Sequence, residues 1–190
     1  MARRIYLLIS IMGVVILYNS GTEKKRVKIK SSSSFTIQTD EMKWFEDFVG
    51  EWVLEEKVQF TPDAPVTKSE KTSRIYFLPD RKTLAVEDVS KDGNNFFLGF
   101  HAYDSENERY INWGAASTFY EGWGHGSINK NGELLHLSGQ AFDPRDPKGS
   151  VFKWSGDWIK KGKNKHIFRA YVSLPDRGQH LFKESIYTRK

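Results

Sequence analysis

From Glu51 onward, apolar and polar residues alternate with a period of two, the spacing of strands whose two faces meet different surroundings. The alternation predicts segments at 51–60, 67–78, 82–90, 95–103, 108–114, 117–128, 133–142, 150–159, 165–173 and 180–188. Turn formers separate them: Pro62-Asp63, Pro79-Asp80, Asp92-Gly93, Asn131-Gly132, Asp143-Pro144 with Asp146-Pro147, Gly162-Lys163-Asn164, and Pro175-Asp176-Arg177-Gly178. Asn131-Gly132 suits the tight I′ hairpin turn. No stretch beyond residue 51 keeps a helical period for a useful length. About ten antiparallel strands in series leave two bare edges unless the sheet closes on itself. The expected fold is therefore all-β, an up-and-down barrel.

One short helix precedes the strands. Met42, Trp44, Phe45, Phe48 and Val49 fall on one side of a 3.6-residue wheel, with Lys43, Glu46 and Asp47 opposite. Thr39-Asp40 suits its start, and Gly50 suits a left-handed residue at its end. Trp52 then opens the first strand. It is expected to close one barrel end against the helix and the last strand, with Arg189 lying over its ring. Gly50, Trp52 and Arg189 form the expected structural set.

The first 39 residues read differently. Arg3-Arg4 followed by the apolar run Ile5–Tyr18 has the form of a signal peptide, or of an N-terminal anchor if it is not cleaved. The organisation expected is 1–21 signal or anchor, 22–39 basic and serine-rich flexible linker, and 40–190 barrel domain. The domain is accordingly expected in the periplasm or outside the cell, touching membrane only through an uncleaved N-terminal segment. The formal net charge of +5 sits here: seven basic residues against one acidic give 1–39 a net +6, which leaves 40–190 at −1. A nearly neutral domain is not a nucleic-acid surface, which needs Lys and Arg clustered on the domain itself. The chain has no cysteine, which excludes disulfides, thiolate metal sites and a cysteine nucleophile.

Several motifs occur in order: Phe48-Val49-Gly50-Glu51-Trp52 after the helix, Gly99-Phe100-His101-Ala102-Tyr103-Asp104, Tyr110-Ile111-Asn112-Trp113, Gly132-Glu133-Leu134-Leu135-His136-Leu137, and Lys183-Glu184-Ser185-Ile186-Tyr187-Thr188-Arg189. Over roughly 40–190 this set resembles the DUF1579 family, whose members are calycin-like barrels of unknown function. The resemblance implies a calycin-like barrel with a ligand-sized interior, and it carries over no catalytic residues.

Candidate chemistry is sparse. The five histidines, His101, His125, His136, His166 and His180, form no His-x-His or His-x3-His pair beside an acid. No metal site or cofactor is implied. His101 and His125 stand out because neighbouring strands would bring them together. In 117–128 Phe119, Glu121, Trp123 and His125 share one face and Gly122, Gly124 and Gly126 the other. Glycines in a strand mark a bend or the close approach of another backbone. Phe152, Trp154 and Trp158 share a face against Lys153, Ser155 and Asp157, which favours Trp154 and Trp158 inside. The candidate lumen residues are Trp113, Trp123, His125, Trp154, Trp158 and Tyr171.

Three functions follow. The first is an exported barrel holding a small apolar or amphipathic ligand, in a cavity of ~300–1,000 Å³ if that ligand is drug-sized. The second is an enzyme using a lumen set such as Glu56, Arg74, His101, His125 or Arg169 as acid or base. The third is a non-catalytic structural or interaction module tethered by its basic tail, with a lumen packed solid. A buried polar cluster with shifted pKa values would point to the second.

Overall fold

A computed structural model describes residues 38–190 apart from 95, 117–120, 143–150 and 175–176. The expected segment 1–21, residues 22–37 of the expected linker 22–39, residues 117–120 of the expected strand 117–128, and the turns at Asp143-Pro144, Asp146-Pro147 and Pro175-Asp176 lie outside the described residues.

Among the described residues, ten strands follow a single helix: β1 Gly50–Val58, β2 Thr67–Phe77, β3 Thr83–Ser90, β4 Phe96–Asp104, β5 Arg109–Ala116, β6 Glu121–Ile128, β7 Leu134–Phe142, β8 Val151–Lys160, β9 Lys165–Leu174 and β10 Gly178–Arg189. Each pairs antiparallel with the next, and β10 returns to β1 with Trp52 opposite Arg189 and Val58 opposite Lys183. The sheet is thus a closed up-and-down barrel without a bare edge, as the alternation demanded. Trp52, Leu54 and Glu56 are the buried positions of β1, while Glu51, Glu55 and Lys57 are exposed, so period two is read directly as inside and outside.

The helix is tighter than the wheel suggested. Glu41–Phe48 is a 3₁₀ helix whose buried residues are Met42, Phe45 and Phe48, three apart. Thr39 takes the capping role, its Oγ1 accepting from the Met42 N–H at 3.4 Å. Gly50 does not end the helix. It opens β1 at φ 145°, and a Cβ there would overlap the Arg189 guanidinium. The turn at Asn131-Gly132 also differs from the I′ form: only Gly132 has positive φ, and its N–H donates to the Asn129 carbonyl at 3.0 Å. The Asn129 side chain accounts for this, since its Oδ1 accepts from the N–H groups of Glu133 and Leu134 at 3.0 and 3.1 Å.

The helix lies across one end of the barrel. Tyr110 Oη donates to the Glu41 carbonyl at 2.9 Å, Trp44 Nε1 to the Gly132 carbonyl at 2.7 Å, and Lys160 pairs with Asp47 at 3.0 Å. The Arg189 guanidinium sits 4.2 Å from the Trp52 ring centre and donates to the carbonyls of Val49 at 2.9 Å and Asp47 at 2.8 Å. One cation therefore ties the last strand to the first strand and to the helix. Eight strands close to an interior that side chains just fill; ten leave more room. At the helix end Phe45, Phe48, Trp52, Tyr110, Trp158 and Tyr187 fill that room, packed with Leu54, Ile75, Leu84, Val86, Leu135 and Leu137.

Candidate ligand site in the barrel lumen

Beyond that packed end lies a cavity of about 140 Å³. It runs from Trp158, His101 and Tyr187 toward the opposite end, where Val58, Phe60, Ala116, Gly122 and Phe152 line it. Its size follows from side chains that are missing. Phe97 lies flat over Gly99 and Gly114, where a Cβ would come within 2.7 and 2.9 Å of its ring. Trp154 lies against Gly124, whose Cβ would come within 2.9 Å of that indole. On β6 and β7 the cause is backbone contact: a Cβ on Gly126 would overlap the His136 carbonyl, and one on Gly139 the Trp123 carbonyl.

The opposite wall, built by β1, β2, β3 and β10, carries charge. Glu56 receives Lys71 Nζ on Oε1 at 2.8 Å and Lys183 Nζ on Oε2 at 2.6 Å. Burial works against the Glu56 carboxylate, yet the ammonium groups of Lys183 and Lys71 outweigh it and hold its pKa down at about 2. Asp88 is 1% exposed. Burial pushes its carboxyl up, against the pull of Lys183 and the Ser73 hydroxyl. Tyr187 Oη approaches Asp88 Oδ2 at 3.4 Å, and Asp88 Oδ1 meets no hydrogen-bond partner among the described residues. Burial and then the Asp88 and Glu56 carboxylates raise the Tyr187 phenol well above its ordinary value. Asn112 Oδ1, which also lines the cavity, is likewise without a hydrogen-bond partner among the described residues.

The two buried histidines stay neutral. His101 packs 5.3 Å from Phe45 and 5.7 Å from Trp158, and burial lowers its pKa to about 4. His166 stacks on Tyr187 at 4.3 Å and meets the Trp52 edge at 4.4 Å; burial, helped by Arg189, lowers it to about 3. Among the described residues no three His, Asp or Glu gather as a metal site.

The expected lumen set divides. Trp154 and Trp158 line the cavity. Trp113, Trp123, His125 and Tyr171 do not: they occupy the outer face, with Trp113 41% and Trp123 46% exposed. Trp113 pairs directly with Trp123 and stacks on Phe100 at 5.4 Å, so the outer wall of β4 to β6 carries an aromatic row. The physical reason is that the inner positions of β6 are the glycines, which leaves its large residues outside. His101 and His125 are not brought together, because β5 separates their strands and their faces are opposite. Of the polar set, Glu56 and His101 face inward. Arg74 lies outside over the Tyr76 ring at 4.8 Å, and Arg169 pairs outside with Glu184 at 2.9 Å. Sequence reasoning missed Lys71, Asp88, Lys183 and Tyr187. The 140 Å³ cavity is also smaller than the drug-sized range expected. It approaches the ~150 Å³ that takes one benzene in an engineered apolar cavity.

Exposed Phe60, Val66, Val89, Phe96, Phe142, Val151 and Leu181 gather at the barrel end away from the helix, on strand ends and their adjoining loops. The cavity thus has an apolar rim at one end and a charged side wall within.

The chain matches a family described as "Protein of unknown function (DUF1579)" over residues 38–189. No curated protein matches it. Among solved structures, the crystal structure of Rv2717c from M. tuberculosis is similar in fold, with a TM-score of 0.58 at 9% identity, covering 81% of this chain and 99% of that one. The structure of EF1p2_mFAP2b bound to DFHBI covers 79% of this chain and 99% of its own at 10% identity, with a TM-score of 0.38.

Proposed function

The chain belongs to the DUF1579 family of proteins of unknown function, and from that premise we propose that its barrel holds a small apolar or amphipathic molecule in the lumen. The observation that carries this reading is the cavity itself. It is walled by the rings of Phe97, Phe152, Trp154, Trp158 and Phe168 and by the charged groups of Glu56, Lys71, Asp88 and Lys183. Small-molecule sites combine apolar walls with a few convergent polar groups in this way. We place the domain in the periplasm or outside the cell, on the strength of Arg3-Arg4 and the apolar run Ile5–Tyr18. Fractionation tests that placement, and full-length protein in the cytosol rejects it. Native mass spectrometry of protein from its own host, followed by quenching of Trp154 and Trp158 fluorescence with lipids, porphyrins and aromatic acids, tests the binding. A single apo mass with flat titrations rejects it.

A second reading is favoured by one observation. Asp88 is buried with its carboxyl pushed up beside the Tyr187 hydroxyl, an arrangement found where a carboxylic acid donates a proton. In that case the lumen is an acid–base site, and the molecule it takes comes out changed. Recovering the bound molecule intact after prolonged incubation separates the two readings in favour of the first.

A further inference from the structure

Two uncharged polar residues of the lumen say what kind of molecule it takes, provided the lumen-binding reading above holds. We propose that His101 and Asn112 form the polar end of the ligand site, and that the ligand is a neutral single ring bearing a hydroxyl, the hydroxyl received by this pair and the ring lying against Trp154.

Register brings the pair together. His101 on β4 and Asn112 on β5 are direct cross-strand partners, a placement that sets their Cβ atoms ~4.5–5.5 Å apart. Both line the cavity. Neither finds a partner in the wall, because the residue opposite His101 on β3 is Leu84 and the one opposite Asn112 on β6 is Gly124. His101 is 4% exposed, and its Nδ1 meets no hydrogen-bond partner among the described residues; nor does Asn112 Oδ1. Gly124 also decides what stands beside the amide. A Cβ there would come within 2.8 Å of Asn112 Oδ1 and 2.9 Å of the Trp154 indole, so amide and indole meet over the same glycine.

The chemistry follows from what each group offers. A neutral imidazole has one N–H and one bare nitrogen, and an amide presents its oxygen or its nitrogen according to how it turns. A hydroxyl both donates and accepts, so it suits the pair in either arrangement. A ring without one leaves the two side chains unpaired, and unpaired buried polar groups are costly. A charged head fares worse. Burial lowers the His101 pKa with no charged group contributing, so an ion seated beside it sheds its water without compensation. Size sets the remaining limit: about 140 Å³ takes one ring, not a fused or branched lipid body.

The test is a set of four probes near pH 7, phenol, toluene, benzoate and benzylamine, each titrated by calorimetry. Phenol is expected to bind about tenfold tighter than toluene, the worth of one or two hydrogen bonds, and tighter than either ion. In Asn112→Leu, which keeps the shape and removes the amide, the advantage of phenol is expected to shrink to less than about threefold while toluene still binds. The ring-nitrogen resonances of His101 are expected to move with phenol and to stay with toluene. If toluene, benzoate or benzylamine binds as tightly as phenol, if the His101 resonances ignore phenol, or if Asn112→Leu keeps the full advantage, the hydroxyl assignment is overturned and the lumen-binding reading stands. If none of the four binds, both are overturned. The wild-type titrations and the His101 resonances decide the matter even where Asn112→Leu fails to fold.

Discussion

Glu56 holds its charge in a buried wall only because Lys71 and Lys183 flank it at 2.8 and 2.6 Å. Removing one partner from a buried ion pair leaves the other uncompensated, at a typical cost of ~3–5 kcal/mol. Lys71→Met is expected to lose about that much in urea denaturation, and a loss under ~1 kcal/mol would show that water reaches the pair. Asp88 behaves oppositely. Its pKa is raised in the fold, so its contribution is fullest at acid pH and is lost as pH rises above the ordinary aspartate range. Asp88→Asn is expected to raise the melting temperature at pH 7, by a gain on the order of 1 kcal/mol. His101 and His166 titrate at about 4 and 3 in the fold, below the ordinary 6.5. Both stay neutral when folded and take up protons when unfolded. Their contribution is therefore whole above pH 6.5 and falls as pH drops toward 4, each by up to ~1.4 kcal/mol per pH unit. Glu56 adds its loss only below about 4.5, toward its folded value of about 2. In the Asp88→Asn variant, where no opposing carboxyl titrates at this site, a melting temperature that stays level from pH 7 to pH 5 would contradict the neutral histidines. Glu56 and His101 were among the candidates the chain offered, whereas Lys71, Asp88 and Lys183 did not stand out. Lys71 sits in Thr67–Arg74, polar at every position, so no alternation marks which side chains turn inward. Asp88 and Lys183 likewise each adjoin another charged residue, Glu87 and Glu184, that faces out.

At the level of elements, the strands were legible because nearly every one carries its own two-residue period and is bracketed by turn residues. Their bounds fall close to the expected ones wherever the residues are described; the first four residues of the expected 117–128 lie outside the described residues. Facing was legible only where one side of a strand is plainly apolar, as at Phe152, Trp154 and Trp158. On β6 it was hidden, since the inward side is Gly122, Gly124 and Gly126 and offers no hydrophobic signal. The helix type was hidden too, because Met42, Phe45 and Phe48 at intervals of three fit a 3₁₀ turn and an α turn alike. The glycine wall makes its own prediction. Gly126→Val forces a branched side chain into the His136 carbonyl, and overpacking of this kind typically costs ~1–3 kcal/mol or more. Trp113→Ser and Trp123→Ser, on the outer face, are expected to melt within a few degrees of wild type. A larger loss in Trp123→Ser than in Gly126→Val would mean that the outer aromatic row, not the β6–β7 contact, holds that part of the wall.

For the molecule as a whole, closure depends on one seam. Along β1 and β10 the register runs from Trp52–Arg189 to Val58–Lys183, so the same pair of strands carries the Arg189 clamp at one end and the Glu56–Lys183 contact at the other. Arg189→Ala is expected to cost ~2–3 kcal/mol, through the lost ring contact and three lost hydrogen bonds, to the carbonyls of Val49, Asp47 and Lys163; equilibrium unfolding measures it. The seam also sets the order of events during synthesis. β1 is the first strand made and β10 the last, and at about 5–20 residues per second β1 waits roughly ten seconds for its partner. Through that interval its outer edge offers bare N–H and C=O groups to any other chain in reach. Until the last strand emerges, then, the nascent barrel keeps one edge that only a shield from outside the chain can cover.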